Sequence, residues 1–341
     1  MAVSQTLSRQ IDRELFFTDE ARISTVKNIA FQSSVIGSIF LGDNPDDDAG
    51  QRVMAGMAKK MQDGGQKPQM DHIVEQNSTV QAMASGWSAY DTTPQDFGRR
   101  SESNWKHYSG TRTISLTDTL INTGPAARSS LVDTETRVVY SSLVELGTRD
   151  IVSGNAATEF TGLDSIISAN DTVQGLSGVS FPNWNSRGVS ARGTAAASVS
   201  FTSGSFAAQG ISDMRLAMTN ATEGGRMPNV IFTTYDIYNF YEGQLVSQQR
   251  YGSDDKVGNA SFNALQFRNA RFYGDPFATS GVIYFINTDA VQLICLTGAD
   301  MQFQPWKDAT TQEAKSSELV LKGQLMVSDR RLLNKLTGVT A

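Results

Sequence analysis

Cysteine, histidine and long apolar runs are what this sequence has least of, and each scarcity removes a class of function. The single cysteine among 341 residues, Cys295, rules out an intrachain disulfide and any cysteine-rich zinc site. The two histidines, His72 and His107, lie far apart, and neither belongs to a His-Glu-x-x-His helix. The longest apolar runs, at 281–286 and 291–296, are too short to cross a bilayer. The first ten residues have no basic stretch leading into an apolar one, so a secretory signal is not expected, and a soluble protein kept in the cytoplasm is. An excess of positive charge is missing too. Lys plus Arg is 29 against 35 Asp plus Glu, a net charge of −6, whereas tight nucleic-acid binders are normally basic.

What is present is enough apolar material for real cores. Hydrophobic residues are 39% and charged residues 19%, outside the range of disordered chains. The length suits two compact domains, or one with long extensions.

Along the chain, Leu7, Ile11 and Leu15 share one side of a short helix predicted over 5–17. An apolar stretch at 25–41 stops at an acidic turn containing Asp43, Pro45, Asp46, Asp47 and Asp48, whose spacing does not match a calcium loop. Residues 51–115 read as two extended arms around a polar middle. A lone hairpin is marginal in water, so Trp87, Tyr90, Trp105 and Tyr108 need either a partner surface or this subunit's own core.

The strongest helix is expected over 125–153. Pro125 suits its first turn, Val132, Val139, Leu143 and Leu146 form its stripe, and Gly154 stops it. Further on, Ile211, Met214, Met218 and Ala221 fit one helix face, and Gly224-Gly225 end it. Val230, Ile231 and Phe232 form a short buried strand. A helix follows from Thr233, with Ile237, Phe240, Tyr241 and Leu245 on its apolar face. Strands are expected at 282–286 and 291–296. Two more are expected at 319–321 and 324–327, before a basic turn at Arg330 and Arg331. Strands mixed with helices in this way indicate an α+β or α/β body.

The search for chemistry is mostly negative. Residues 188–194 resemble a phosphate loop but lack the lysine before Thr194. Ser103 and Lys106 match Ser-x-x-Lys without the companion motifs of such enzymes. Asp254 and Asp255 sit between glycines, as an exposed turn would. Cys295 lies in an apolar strand and reads as an inert buried thiol, and His72 and His107 read as surface residues. No catalytic, cofactor-binding or metal-binding residue is assigned, no cofactor is expected, and the chain is not read as an enzyme.

The order of elements resembles the tailed-phage major capsid proteins, whose fold is shared with encapsulins. Four stretches carry the likeness. Gly64-Gly65, Gly86-Trp87 and Asn104-Trp105-Lys106 are similar to an extended loop. Asn122-Thr123-Gly124 before the helix is similar to the entry into a spine helix. Phe181-Pro182-Asn183-Trp184 is similar to the segment after it. The stretch from Phe232-Thr233-Thr234-Tyr235 through Gln249-Arg250-Tyr251 and Tyr273-Gly274-Asp275-Pro276 to Tyr284-Phe285-Ile286-Asn287 is similar to an axial-domain core.

The resemblance implies an α+β fold with an N-terminal arm over 1–59 and an extended loop over 60–115. It implies a peripheral domain over 116–155 and 306–341, holding the spine helix 125–153, and an axial domain over 156–305. The implied function is a structural subunit that self-assembles into an icosahedral shell around packaged double-stranded DNA, bound without sequence specificity. The alternative is an encapsulin-like compartment enclosing cargo enzymes. The implied partners are copies of the chain itself as hexamers and pentamers, a portal protein, a separate scaffolding protein and a decoration protein, with no membrane. A short segment before the loop leaves little room for a built-in scaffold, so the resemblance implies either a separate scaffolding protein or none. The implied location is the virion, assembled in the host cytoplasm. Some family members cross-link through a loop lysine. Lys59, Lys60 and Lys67 are the local candidates, and solvation of all three is the expectation here. A mildly acidic subunit would also avoid gluing DNA to the shell wall.

Overall fold

The computed structural model describes residues 34–42, 58–83, 85–86, 89–121, 131–168, 170–186, 210–246, 265–309 and 313–339. The expected helix at 5–17, the acidic turn, the loop at 188–194 and the pair Asp254-Asp255 lie outside these residues.

In chain order the elements begin with α1 (Val35–Leu41), β1 (Lys59–Gln62), β2 (Gln69–Ile73), β3 (Gly98–Glu102) and β4 (Lys106–Ser115). Next come α2 (Leu116–Ile121), α3 (Leu131–Ser153), α4 (Leu163–Ile166), β5 (Thr172–Val173) and β6 (Leu176–Ser177). After these are α5 (Ile211–Asn220), β7 (Val230–Thr233), α6 (Tyr235–Val246), β8 (Gln266–Phe267) and β9 (Ala270–Gly274). The chain closes with β10 (Val282–Ile286), β11 (Val291–Leu296), β12 (Gln302–Phe303), β13 (Lys307–Asp308), β14 (Ala314–Val327) and β15 (Asn334–Thr337). Short 3₁₀ turns occupy Pro182–Trp184 and Arg330–Leu332.

Strand β14 organises the larger sheet. One edge pairs antiparallel with β4, from Ala314 opposite Ser115 to Gly323 opposite Lys106. The other edge takes β13, β12 and β11 in succession, and β1 joins parallel to β11. The sequence suggested two strands here, split at Lys322-Gly323. They are one strand of 14 residues. Gly323 is not a break but a close approach: a Cβ there would stand 3.0 Å from the Ile294 carbonyl on the neighbouring strand. Burial along β14 alternates at first and becomes continuous from Gly323, where both faces are covered.

The second sheet has the order β15-β10-β7-β9-β8, with β7 and β9 parallel. It separates two cores. Val230, Phe232, Val282, Tyr284 and Ile286 face the core shared with α1, α3, β11 and β14. Ile231, Ile283, Phe285, Phe272 and Leu336 face a core closed by Met214 and Met218 of α5 and by Ile237 and Tyr241 of α6. Burial on both faces is why 282–286 is apolar at every position.

Helix α3 ends at Ser153, and Gly154 follows because a Cβ there would lie 2.3 Å from the Phe160 carbonyl and 2.4 Å from that of Asp150. Residues 125–130 of the expected helix lie outside the described residues. The buried stripe runs through Leu143, Val144, Thr148, Ile151 and Val152. Val132 and Leu146, expected on it, are 37% and 40% exposed. Helix α1 crosses α3 so closely that a Cβ on Gly37 would stand 2.7 Å from Thr148 Oγ1.

The larger sheet draws β4, β11 and β14 from three of the expected parts, and β15 joins the five-stranded sheet.

Candidate assembly surface

Between β1 and β4 the chain leaves the larger sheet as the β2–β3 hairpin, in register from Gln69 opposite Glu102 to Ile73 opposite Gly98. Side chains alternate between its two faces. Met70, His72 and Val74 turn towards the subunit together with Arg99 and Ser101, while Asp71, Ile73, Arg100 and Glu102 turn to solvent. The outer face is laced by charge pairs. Arg100 grips Asp71 at 2.7 and 3.3 Å, and Lys67 meets Glu102 at 2.6 Å. These partners hold both carboxyls below their ordinary range.

The base of the hairpin docks on its own subunit. Val74 packs with Leu176, Trp184 and Phe181. The Glu102 amide donates to the Gln174 carbonyl at 3.0 Å, and Asn183 Nδ2 donates to the Val74 carbonyl at 3.1 Å. Beyond Val74, Val80 and Tyr90 are each 81% exposed and Met83 and Phe97 are exposed as well, while Ile73 on the outer face of β2 is 79% exposed.

An apolar surface runs over α2 and the start of α3, where Leu116, Leu120, Val132 and Val138 are exposed. Beside it lies a groove of about 500 Å³ lined by Ile114, Leu116, Val132, Trp306, Ala309 and Ala314. Trp306 is held there by Arg112, whose guanidinium lies 4.4 Å from the Trp306 ring and 4.2 Å from that of Phe303. Arg112 also donates to Thr136 on α3.

Buried polar groups fix the frame behind these surfaces. Arg330 is fully buried, and its Nε donates to the Ile166 carbonyl at 2.9 Å and its Nη2 to the Ser168 carbonyl at 2.7 Å. Burial pushes its pKa down to about 10. Asp275 at the end of β9 accepts from Ser34 Oγ at 2.6 Å and from the Ile36 amide at 3.1 Å, tying α1 to the five-stranded sheet. Burial raises the pKa of this carboxyl, and the bonds from Ser34 and the backbone oppose the rise. Asp164 gathers the Tyr284 hydroxyl at 2.7 Å, the Thr279 hydroxyl at 2.8 Å and Lys335 Nζ at 3.3 Å.

The residues singled out from sequence fall as follows. Ser103 accepts from Gln324 Nε2 at 2.8 Å, while Lys106 Nζ donates to the Ala156 and Ala157 carbonyls at 2.6 and 2.7 Å, so the Ser-x-x-Lys match is engaged in structure. Cys295 is fully buried, and burial pushes its thiol up to about 12. His107 is exposed on β4. His72, expected at the surface, is instead half-buried, with Nε2 2.7 Å from Ser101 Oγ and its ring 4.7 Å from Trp184. Tyr108 belongs to this subunit's own core, and Trp105 donates to the Gly65 carbonyl at 2.9 Å. Trp87 lies outside the described residues. Lys59 pairs with Asp300 at 2.7 Å. No group of three or more His, Cys, Asp or Glu side chains that could hold a metal ion exists among the described residues. No helix among them is long and apolar enough to cross a membrane.

No family model matches the sequence, and no curated protein does. Solved structures do. A chain of the cyanophage A-1(L) capsid asymmetric unit aligns with TM-score 0.63 at 15% identity, over 96% of this chain and 99% of that one. The capsid of a native GTA particle aligns with TM-score 0.57 at 10% identity, over 95% and 96%. The fold is that of phage capsid proteins. A structure from Mycobacterium phage Bobi aligns nearly as well, with TM-score 0.56 at 9% identity over 95% and 96%. In each case the alignment extends over almost the whole of both chains.

Proposed function

We propose that this chain is the major capsid subunit of a tailed phage, a structural protein that assembles with its own copies into a closed icosahedral shell around double-stranded DNA. The observation that carries the reading is a capsid fold across nearly the full chain, bearing a hairpin tip whose apolar side chains its own subunit leaves exposed. A two-stranded excursion gains little by itself, and against a neighbouring copy it buries Ile73, Val80 and Tyr90. Each contact can be modest, because closure multiplies it around the shell.

In this reading the five-stranded sheet with α5 and α6 is the axial domain. The larger sheet with α3 is the peripheral domain, and residues 63–105 are the extended loop. Hexamers and pentamers are the building units, with a portal protein at one vertex and a separate scaffolding protein guiding assembly in the host cytoplasm. A net charge of −6 suits a wall that encloses DNA without binding its sequence.

Electron microscopy of the protein expressed alone and with its neighbouring genes tests this. Uniform closed shells are expected, and the variant Val80→Ser with Tyr90→Ser should lose them while its subunit unfolds at the wild-type temperature. Monomers under every condition would refute the shell reading. Shells containing a cargo enzyme and no DNA would replace the phage with an encapsulated compartment.

A further inference from the structure

We infer that His72 is a pH-operated latch holding the β2–β3 hairpin against its own subunit, closed when the imidazole is neutral and released when it is protonated. The inference stands on the geometry of one subunit and does not depend on the shell reading. His72 is on the inner face of the hairpin, within the small patch that docks it. Its ring lies against Trp184, and Nε2 meets Ser101 Oγ. The other contacts at this base are Val74 against Leu176 and Trp184, the Arg99 guanidinium 5.3 Å from the Phe181 ring centre, the Glu102 amide on Gln174, and Asn183 on Val74. Trp184 Nε1 is buried there without a hydrogen-bond partner, so the docked state is imperfectly satisfied. A contact so small is sensitive to one charge.

The charges around the ring decide the sign. Asp71 on the same strand and Asp329 after β14 favour the imidazolium, as does the Ser328 carbonyl. Both carboxylates are already engaged, Asp71 by Arg100 and Asp329 by Arg331 at 3.0 Å and Arg226 at 3.4 Å. Arg99, directly opposite His72 in the register, pairs with Asp96 and lays its guanidinium 5.3 Å from the centre of the Phe181 ring, and the Arg330 guanidinium lies 5.9 Å from the centre of the Trp184 ring. Burial outweighs the acids and holds the docked imidazole below its ordinary 6.5. The released ring binds a proton more readily than the docked one. Docking is therefore at full strength above the ordinary histidine pKa and weakens as pH falls through it, until the docked ring itself protonates.

Hydrogen exchange on the full-length protein reads the latch at the Glu102 amide, which donates across the dock to Gln174. After correction for intrinsic rates, protection at Glu102 should fall between about pH 7 and pH 5, by at most about tenfold per pH unit for a single linked proton. His72→Gln, which retains a hydrogen-bonding group for Ser101, should flatten that dependence. Equal wild-type protection across the range would overturn the inference, as would the same acid-driven loss in His72→Gln. If that variant does not fold, carbon-13-labelled histidine in wild type, assigned with His107→Gln, decides the matter. A His72 titration at or above the ordinary histidine value would refute the latch, and one below it that tracks the loss at Glu102 would support it.

Discussion

Replacing Tyr108 by Phe removes one oxygen from the point where the larger sheet, the long helix and the following loop meet. The Tyr108 hydroxyl donates to Asp150 Oδ2 on α3 at 2.9 Å and accepts the Phe160 amide at 2.9 Å. The ring contact with Phe160, centroids 4.5 Å apart, survives the substitution. The loss is therefore polar. A hydrogen bond to a charged acceptor is worth about 1.5–3 kcal/mol, and a buried amide left without a partner costs about 1–3 kcal/mol more. The variant should be less stable by roughly 3–5 kcal/mol at neutral pH, a large share of the ~5–15 kcal/mol typical of a domain.

The pH dependence separates this mechanism from a simple packing defect. Burial already raises the Asp150 pKa above 3.8, and the bond from Tyr108 counteracts part of that rise. A carboxyl whose folded pKa is raised contributes stability that is complete below its unfolded pKa and is lost as pH rises through the folded one. Without the hydroxyl the folded pKa climbs further. The deficit of Tyr108→Phe should then shrink as the solution is acidified from neutrality towards 3.8. Urea unfolding of the subunit at several pH values measures both quantities. A deficit under about 1 kcal/mol, or one that does not change with pH, would refute the hydrogen-bond account.

Three further predictions need one measurement each. Gly154→Ala forces a methyl against two backbone carbonyls and should cost about 2–3 kcal/mol in urea unfolding; Gly243→Ala, in α6 with nothing near its Cβ, should instead gain about 0.5–1 kcal/mol. Cys295, fully buried with a thiol pushed up to about 12, should resist a thiol reagent near neutral pH in the folded protein and react once in denaturant.

How far the fold was legible depended on whether a residue's burial was visible from its neighbours in sequence. Strands β10 and β11 match the expected 282–286 and 291–296: β10, covered on both faces, is apolar throughout, and β11 is apolar at every position but Gln292. Helix α5 was legible for a related reason: Met214, Met218 and Ala221 recur on one face and are buried. The long helix was recognised, but its face only in part: Leu143 is buried and Val139 packs on the core, while Val132 and Leu146 are exposed and the buried side also includes Ser141, Thr148 and Asp150, which hydropathy assigns to solvent. β14 was split because Lys322-Gly323 looks like a turn until the neighbouring strand that presses on Gly323 is known. Two-residue strands such as β12 and β13 carry no periodicity at all. The candidate surface was half legible. Tyr90 was suspect as an aromatic in a polar stretch, whereas Val80 and Ile73 are ordinary residues whose exposure only the tertiary structure reveals. His72 was missed for the opposite reason: what buries it is Trp184, more than a hundred residues away in sequence.

The distribution of buried polar groups also assigns rigidity and compliance to different parts of the molecule. Sliding the five-stranded sheet against α1 and α4 would break the Asp275 bonds to Ser34 and Ile36 and the gathering of Tyr284, Thr279 and Lys335 on Asp164, each inside a protein core. Opening the turn after β14 would strand the Arg330 cation among carbonyls. Buried polar contacts of this kind are costly to leave half made, so they resist small displacements. Among the described residues the hairpin has no fully buried charge of this kind. Its outer charge pairs are surface contacts worth little, and its base is held by one small apolar cluster, by Arg99 over Phe181, by His72 against Trp184 and the Ser328 carbonyl, and by the hydrogen bonds of Glu102 and Asn183. Local opening of the structure therefore begins at the hairpin, where few buried contacts must break together. In the proposed shell a single sequence must meet neighbours around both five-fold and six-fold axes. The compliant hairpin can absorb that difference in angle while the twin-core body stays the same in every copy.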